Sequence, residues 1–171
     1  PRAATTVTGE ASTRLPLSRG RVIVAALAVV DRDGLGALSM RRLAGELGVE
    51  AMSLYHHVRD KADVLDGIVA AVLDQMVPPA EGPWDERAMH VVGELRRVVR
   101  AQPHVHPLVV AGAFRSPSVV APVGALLTAL RDSGMGDDEV VGAFWTLLSY
   151  VSGSLSCELA DVPDGLDDLV D

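Results

Sequence analysis

Residues 38–58 read LSMRRLAGELGVEAMSLYHHV, and this stretch decides how the N-terminal part of the chain folds. Ser39 is a typical helix N-cap, and apolar side chains then repeat on one face of a short helix. Gly48 stands where a helix end needs a left-handed residue, and a second short helix is predicted over residues 50–57. Ala44 is small enough for the two helices to cross closely. This is the spacing of a helix-turn-helix unit.

Two amphipathic helices are predicted to flank the unit, which is too small to bury its own apolar face. One begins after Ser18 and ends at Asp33-Gly34, and the other covers residues 60–76. We therefore assign residues 18–64 to a three-helix, helix-turn-helix DNA-binding domain. The helix over residues 60–76 links this domain to the rest of the chain.

The remainder of the chain also follows helical spacing. Further helices are predicted over residues 84–101, 108–114, 116–133 and 137–160. No stretch alternates convincingly with period two, so the expected fold class is all-α. Residues 1–17 are rich in Thr, Ala, Pro and Arg and are predicted to form a flexible arm, and residues 65–171 form a C-terminal helical domain.

Composition favours a cytosolic protein whose N-terminal part is basic and whose remainder is acidic. Residues 1–61 carry nine Lys or Arg against six Asp or Glu, whereas the rest carries six against seventeen, giving +3 and −11. A polyanion would therefore meet the N-terminal part. Cys157 is the single cysteine and predicts no internal disulfide. The longest apolar runs are shorter than a membrane span, so no membrane partner is expected.

The second helix of a helix-turn-helix unit lies in the major groove of DNA, and flanking residues hold phosphates. DNA contacts are therefore predicted from ten residues: Met40, Arg41, Glu50, Ala51, Met52, Ser53, Tyr55, His56, His57 and Lys61. Arg41 is the candidate for guanine, and Met52 is expected at the rim of the reading face. Lys61 is placed near a helix N-terminus that favours phosphate.

The adjacent pair His56 and His57 raises the alternative of a metal site. Neighbouring side chains on a helix point about 100° apart, whereas a shared metal requires spacings of three or four residues. We expect no metal there. The alternative to groove contact is that His57 packs between helices while His56 is solvated.

The C-terminal part offers candidates for a ligand pocket. His104 and His106 lie in the Pro-flanked stretch QPHVHPL, where two histidines without a nearby carboxylate make a poor metal site and a surface turn is the alternative. The candidate ligand contacts are His90, His104, His106, Phe114, Arg115, Trp145 and Ser149. For the aromatic residues among them the alternative is plain core.

The last predicted helix is apolar nearly all round, which a surface helix of a monomer would not tolerate. Small residues at Ser149, Gly153 and Ser156 would allow a second helix to approach closely, so we expect them in a dimer interface. The alternative is an ordinary central helix. No nucleophile sits on an elbow and no acid pair stands in a recognisable motif, so neither catalysis nor a cofactor is expected.

These motifs closely resemble the N-terminal domain of TetR-family transcriptional repressors, nearest the tetracycline-repressor branch. The resemblance covers roughly residues 18–76 and rests on the following positions: Leu38, Arg41, Leu43, Ala44, Leu47, Gly48, Val49, Ser53, Leu54, Tyr55, His57, Lys61 and Leu65. Val58 after the histidines, and the later pair Pro83-Trp84, are also similar to that branch.

The resemblance implies a homodimer that binds double-stranded operator DNA, with residues 65–171 as a ligand-binding and dimerisation domain. A small molecule, apolar or aromatic by composition, would release the palindromic operator. Ala51, Met52 and His56 replace the Gln, Pro and Trp with which the tetracycline repressor reads bases, so we expect a different operator. The residues from Val105 to Arg115 do not reproduce its magnesium-tetracycline site. The alternative function is a helical small-molecule-binding or interaction protein without operator binding.

Overall fold

In a computed structural model, which describes residues 16–112 and 119–160, every regular element is helical. The α-helices are α1 (Arg19–Asp33), α2 (Met40–Leu47), α3 (Ala51–Leu54), α4 (Lys61–Leu73), α5 (Trp84–Ala101), α6 (His106–Gly112), α7 (Val120–Asp132) and α8 (Asp137–Leu159). Short 3₁₀ turns cover Leu35–Ala37 and Pro103–Val105. The all-α prediction is confirmed for these residues, and the predicted arm over residues 1–17 falls mostly outside them.

Local capping explains where the first two helices begin and end. Ser18 and Ser39 are extended, and their hydroxyls accept hydrogen bonds from the backbone N–H groups of Arg21 and Arg42 at 3.3 and 3.2 Å. Gly48 has φ 65° and ψ 36°, the left-handed conformation that turns the chain from α2 into α3. The helix-turn-helix geometry predicted from the spacing is therefore present.

Helix α4 crosses α1 at very close range, and Gly67 makes this possible. A Cβ atom added at Gly67 would overlap Ile23 Cδ1 and would stand 2.9 Å from Ile23 Cγ1. One core cluster runs from α1, α2 and α3 through α4 into α5, α6 and α8. The DNA-binding domain predicted over residues 18–64 therefore shares its core with the helices that follow.

The C-terminal helices form a bundle in which α5, α7 and α8 pack against one another. Their ends enclose a second core cluster that includes Ala129 and Phe144. Two ion pairs brace the bundle, from Arg87 on α5 to Asp132 on α7 and from Arg96 on α5 to Glu158 on α8.

Two helices are shorter than the sequence predicts. The predicted helix over residues 50–57 is α-helical only from Ala51 to Leu54, because the next hydrogen bonds tighten to i→i+3 spacing. The helix predicted over residues 60–76 ends at Leu73, since side chains of α5 form hydrogen bonds with backbone N–H and carbonyl groups of the chain beyond it. Other ends differ by a few residues: α6 begins at His106 rather than 108, and α7 is described from Val120.

Candidate nucleic-acid interface and ligand cavity

The predicted reading face consists of exposed side chains on α3 and on the chain just after it. Other side chains of the same segment are buried in the core and hold the face in place. Leu54 on α3 is fully buried and Val58 is 2% exposed, so this side of the chain is fixed to the core. Met52 is 71% exposed, which makes it the most prominent side chain of α3 rather than a rim residue. Tyr55 and His56 are exposed beside it, and a short apolar, aromatic and imidazole surface results.

The other predicted DNA contacts lie around this face. Arg41, Glu50 and Lys61 are exposed, whereas Met40, Ala51, Ser53 and His57 are half-buried. From the sequence we expect Glu50, Ala51, Ser53 and His56 to be the exposed residues of this helix; the half-burial of Ala51 and Ser53 corrects this, and it follows from the packing of α3 on α2. Arg41 and Lys61, whose side chains could donate to bases or phosphates, therefore flank α3, and the most exposed side chain of α3 is the apolar Met52.

A buried carboxylate fixes the N-terminal end of α4 to the rest of the reading head, the name used below for the predicted DNA-binding domain of residues 18–64. Asp63 in the first turn of α4 receives two hydrogen-bonded contacts from the Arg19 guanidinium, at 3.0 and 2.9 Å, and one from the backbone N–H of Arg59 at 2.9 Å. The hydrogen bond from Arg19, followed by that from Arg59, lowers the pKa of Asp63. The carboxylate therefore stays ionised and joins α1, the chain after α3, and α4.

A second polar cluster anchors the chain directly after α4. Glu94 on α5 accepts a hydrogen bond from the Val77 backbone N–H at 2.7 Å and is paired with Arg97. These contacts, Arg97 first, lower the pKa of Glu94 to about 2. Arg97 also donates to the Gln75 carbonyl at 2.6 Å, and the His90 ring nitrogen lies 2.9 Å from the Val77 carbonyl oxygen. Both ends of α4 are thus held by polar side chains.

An apolar cavity of about 260 Å³ lies between the end of α4 and helices α5, α6, α7 and α8. Its wall includes Leu73 from α4, Met76 beyond it, and Phe144 and Trp145 from α8. The last two rings are 5.4 Å apart and meet edge to face at 73°. Such a space suits a flat, largely hydrophobic molecule.

The structure brings together only some of the predicted ligand residues. His106, Trp145 and Ser149 line the cavity, whereas His90 is bonded to the chain after α4. His104 is exposed and faces Asp31, whose pKa is raised by burial and lowered in part by this histidine. Phe114 and Arg115 lie outside the described residues.

Sequence reasoning missed most of the cavity wall because its residues are aliphatic. Val91, Leu95 and Val99 on α5, with Leu126 on α7, line it and look like ordinary core positions in the sequence. No motif marks them, because the space between helices depends on how the helices pack. Among the described residues no group of three or more His, Cys, Asp or Glu side chains could hold a metal ion.

Helix α8 shows an exposed stripe along its outer side. Val141, Trp145 and Tyr150 are 52%, 50% and 69% exposed; Val141 and Tyr150 lie at the two edges of this exposed side, and the small, exposed residues Gly153 and Ser156 lie between them. Trp145 and Ser149 belong to this stripe as well as to the cavity wall. Among the described helices α8 is long and apolar enough to cross a membrane, a property that the central helices of many water-soluble proteins share.

Two family models together match about four fifths of the chain. Residues 22–68 match the model described as bacterial regulatory proteins of the tetR family, and residues 78–167 match the tetracyclin repressor-like C-terminal domain. The chain belongs to the TetR family. Members of this family are generally DNA-binding regulators rather than enzymes.

Curated relatives are named as transcriptional regulators. An HTH-type transcriptional regulator of Saccharopolyspora erythraea is 36% identical over 151 residues, which are 87% of this chain and 64% of the relative. The HTH-type transcriptional repressor DrrR1 of Streptomyces coeruleorubidus is 32% identical over 89% of this chain and 58% of its own length. The chain thus spans about three fifths of the length of these relatives.

Solved structures of TetR-family proteins share the fold. ActR of Streptomyces coelicolor in complex with actinorhodin aligns with a TM-score of 0.80 and 29% identity, over 89% of this chain and 75% of ActR. BioQ with its double-stranded DNA operator aligns with a TM-score of 0.78 and 28% identity, over 85% of this chain and 90% of BioQ. One neighbour holds a small molecule and the other holds DNA.

Proposed function

We propose that this chain is a ligand-responsive transcriptional repressor that binds a palindromic operator as a homodimer and is released by a small hydrophobic molecule. The course of α4 is the observation that carries the proposal. Arg19 and Asp63 clamp its N-terminal end to the reading head, and Leu73 at its other end lines the cavity. A molecule that displaces this cavity wall therefore moves the head.

The reading face provides the DNA-binding step. Met52 and Tyr55 offer apolar contact, which suits thymine methyl groups, and Arg41 has the planar guanidinium that pairs with guanine. Lys61, at the first position of α4, adds its charge to a helix N-terminus directed at phosphate. The proposed partner is double-stranded DNA, and the proposed compartment is the cytoplasm.

The exposed stripe of α8 provides the dimer contact. Its apolar and small side chains fit a second copy of the same helix better than they fit water. A two-fold dimer would set its two reading heads on successive turns of the major groove, about 34 to 36 Å apart.

Ligand and DNA act on one equilibrium in this proposal. Helix α4 has 13 residues and is about 20 Å long at 1.5 Å per residue, so a small tilt at the cavity changes the spacing of the heads. Helix α6 contacts α4, and the turn Pro103–Val105 before it contacts α1, which gives the cavity a second connection to the head. The ligand shifts the population toward a state that fits the operator poorly. The complex of ActR with actinorhodin supports the ligand-binding part of the proposal, and the complex of BioQ with its operator supports the DNA-binding part.

Selection of duplexes from a random pool by the full chain tests the DNA-binding step. We expect a palindromic site whose affinity falls steeply with salt. Lys61→Ala should weaken all duplexes alike and flatten the salt slope by about one unit, whereas Arg41→Ala should relax one base position. Arg131→Ala, exposed at the end of α7, is the matched control and should change neither. If no duplex is enriched, the alternative of a helical ligand-binding protein without operator binding gains support.

A further inference from the structure

The cavity has a nearly uniform apolar wall with very few polar groups. Among the described residues that line it, none is charged, and the polar groups are the side chains of His106, Ser149 and Ser152 and the indole N–H of Trp145. Burial of an ionised group against such a wall is strongly unfavourable, because nothing there replaces its water or its counter-ion. The described wall therefore selects for a neutral molecule.

His106 is the most deeply buried of these polar residues. It stands at the first position of α6, is only 9% exposed, and lines the cavity. Its Nε2 atom is buried and has no hydrogen-bond partner among the described residues. Buried polar atoms in folded proteins nearly always have a partner, so a group that remains without one needs an explanation. Among the described residues two other buried side-chain atoms, Arg87 Nε and Gln102 Oε1, also lack a partner, but only His106 belongs to the cavity wall, so a ligand in the cavity is the candidate partner of its Nε2.

The tautomers of histidine narrow the chemistry of this ligand atom. Nε2 donates a hydrogen bond in one neutral tautomer and accepts one in the other. A hydroxyl group can do both, and it therefore pairs with either form. The edge-to-face rings of Phe144 and Trp145 in the same cavity suit an aromatic ligand.

We infer that the cavity binds a neutral aromatic molecule that carries a hydroxyl group, and that His106 Nε2 is the hydrogen-bond partner of this hydroxyl. The inference rests on the proposed function in that it names the class of the effector. It assigns His106 as the residue that sets the polarity of the ligand, and the aliphatic wall sets its size and shape.

Three compounds of matched ring size test the inference by calorimetric titration of the full chain: 1-naphthol, naphthalene and 1-naphthoate. We expect 1-naphthol to bind about tenfold more tightly than naphthalene, the order of one buried hydrogen bond. The carboxylate of 1-naphthoate should make it the weakest of the three.

Substitutions at His106 assign the preference to one atom. His106→Leu keeps an apolar side chain in the wall, so it should abolish the preference for 1-naphthol and leave naphthalene binding unchanged. His106→Gln, which can still hydrogen-bond, should retain part of the preference. His104→Leu, at an exposed position two residues away, is the control and should leave the ratio as in the wild type.

The wild-type ratio is decisive even if a variant fails to fold. Equal affinities for 1-naphthol and naphthalene, or no binding of either compound, would overturn the inference. A preference that survives in folded His106→Leu would also overturn it. Operator binding measured on the same samples separates the two proposals: a hydroxyl preference without DNA binding defeats only the proposed function, and DNA binding without the preference defeats only the inference.

Discussion

The reading head and the ligand cavity are built in opposite ways. In the head, short helices are tied by caps, by the left-handed Gly48 and by the Asp63 clamp, and the side chains beneath the reading face are fully buried. Around the cavity, longer helices meet along aliphatic surfaces and leave a space of about 260 Å³. The contacts of the head fix the positions of its surface side chains, whereas the helices around the cavity have space in which their packing could change.

This difference suggests how one chain can couple two ligands. DNA recognition needs side chains held in fixed positions, because a groove contact fails when its geometry drifts. Regulation needs a region with two packings of similar free energy, and a wall of aliphatic residues, which has few directional contacts to break, would allow a second packing. Helix α4 belongs to both regions, since Asp63 lies in the head and Leu73 lies in the wall.

The largest expected effect concerns the outer stripe of α8, which belongs to neither the head nor the clamp. Gly153→Arg should weaken the proposed homodimer at least about a hundredfold, or about 3 kcal/mol, because it places a large charge at the proposed contact with the second copy. Nothing lies within 4 Å of a Cβ atom at Gly153, so the protomer itself should fold normally. Sedimentation velocity measures the change.

Gly124→Arg is the matched control for this substitution. Gly124 is an exposed helical glycine on α7 and also has open space around it, so its variant should remain as dimeric as the wild type. If both variants are dimers at the same concentration, the outer stripe is not the interface.

The next effect tests the close crossing of α1 and α4 that joins the two regions. Gly67→Ala should lower the free energy of unfolding by about 2 kcal/mol, because the new methyl group overlaps Ile23. Urea denaturation measures this loss. Gly45→Ala, at an exposed helical glycine with open space, should be neutral or slightly stabilising.

Ile23→Val should recover part of the loss in the Gly67→Ala background, since it removes the overlapped Cδ1 atom. Additive free-energy changes in the double variant would show that the two residues do not limit each other.

The smallest effect concerns the Asp63 clamp. Asp63→Asn should cost about 1 kcal/mol at neutral pH, since Arg19 is half exposed and solvent screens the pair. The pKa of Asp63 is lowered in the folded protein, so the carboxylate stabilises the fold above its ordinary range and ceases to do so as pH falls through the lowered value.

Thermal melts from pH 7 to 2 should therefore show the wild type and Asp63→Asn converging in acid. Asp66→Asn, exposed on the same helix, should track the wild type throughout. A constant difference between wild type and Asp63→Asn across this pH range would contradict the ionic account of the clamp.

The head could be predicted from the sequence because its contacts are local. Ser39 caps a helix, Ala44 allows two helices to cross closely, and Gly48 makes the left-handed turn. The structure shows Ser39 as the N-cap of α2, Ala44 buried and Gly48 left-handed. The exposure of Met52 could not be predicted, because the rotation of α3 depends on how Leu54 enters the shared core. The DNA-contact assignments themselves remain predictions.

The cavity could be predicted only in part. The polar or aromatic residues His106 and Trp145 were predicted as ligand contacts from the sequence, and both line the cavity. Val91 and Leu126 also line it, but in the sequence they look like any core residue. The predicted end of α4 at residue 76 was also wrong, because His90 and Glu94 on α5 form hydrogen bonds with the backbone groups of Val77. Contacts between distant segments have no local signature.

The central claim is that head and cavity share one equilibrium through α4. Its most direct test is the affinity of the full chain for its selected operator, measured with and without a saturating cavity ligand such as 1-naphthol. We expect operator affinity to fall at least about tenfold and the affinity for the ligand to fall by the same factor when operator is bound, as linkage requires. A ligand that fills the cavity and leaves operator affinity unchanged would contradict the account.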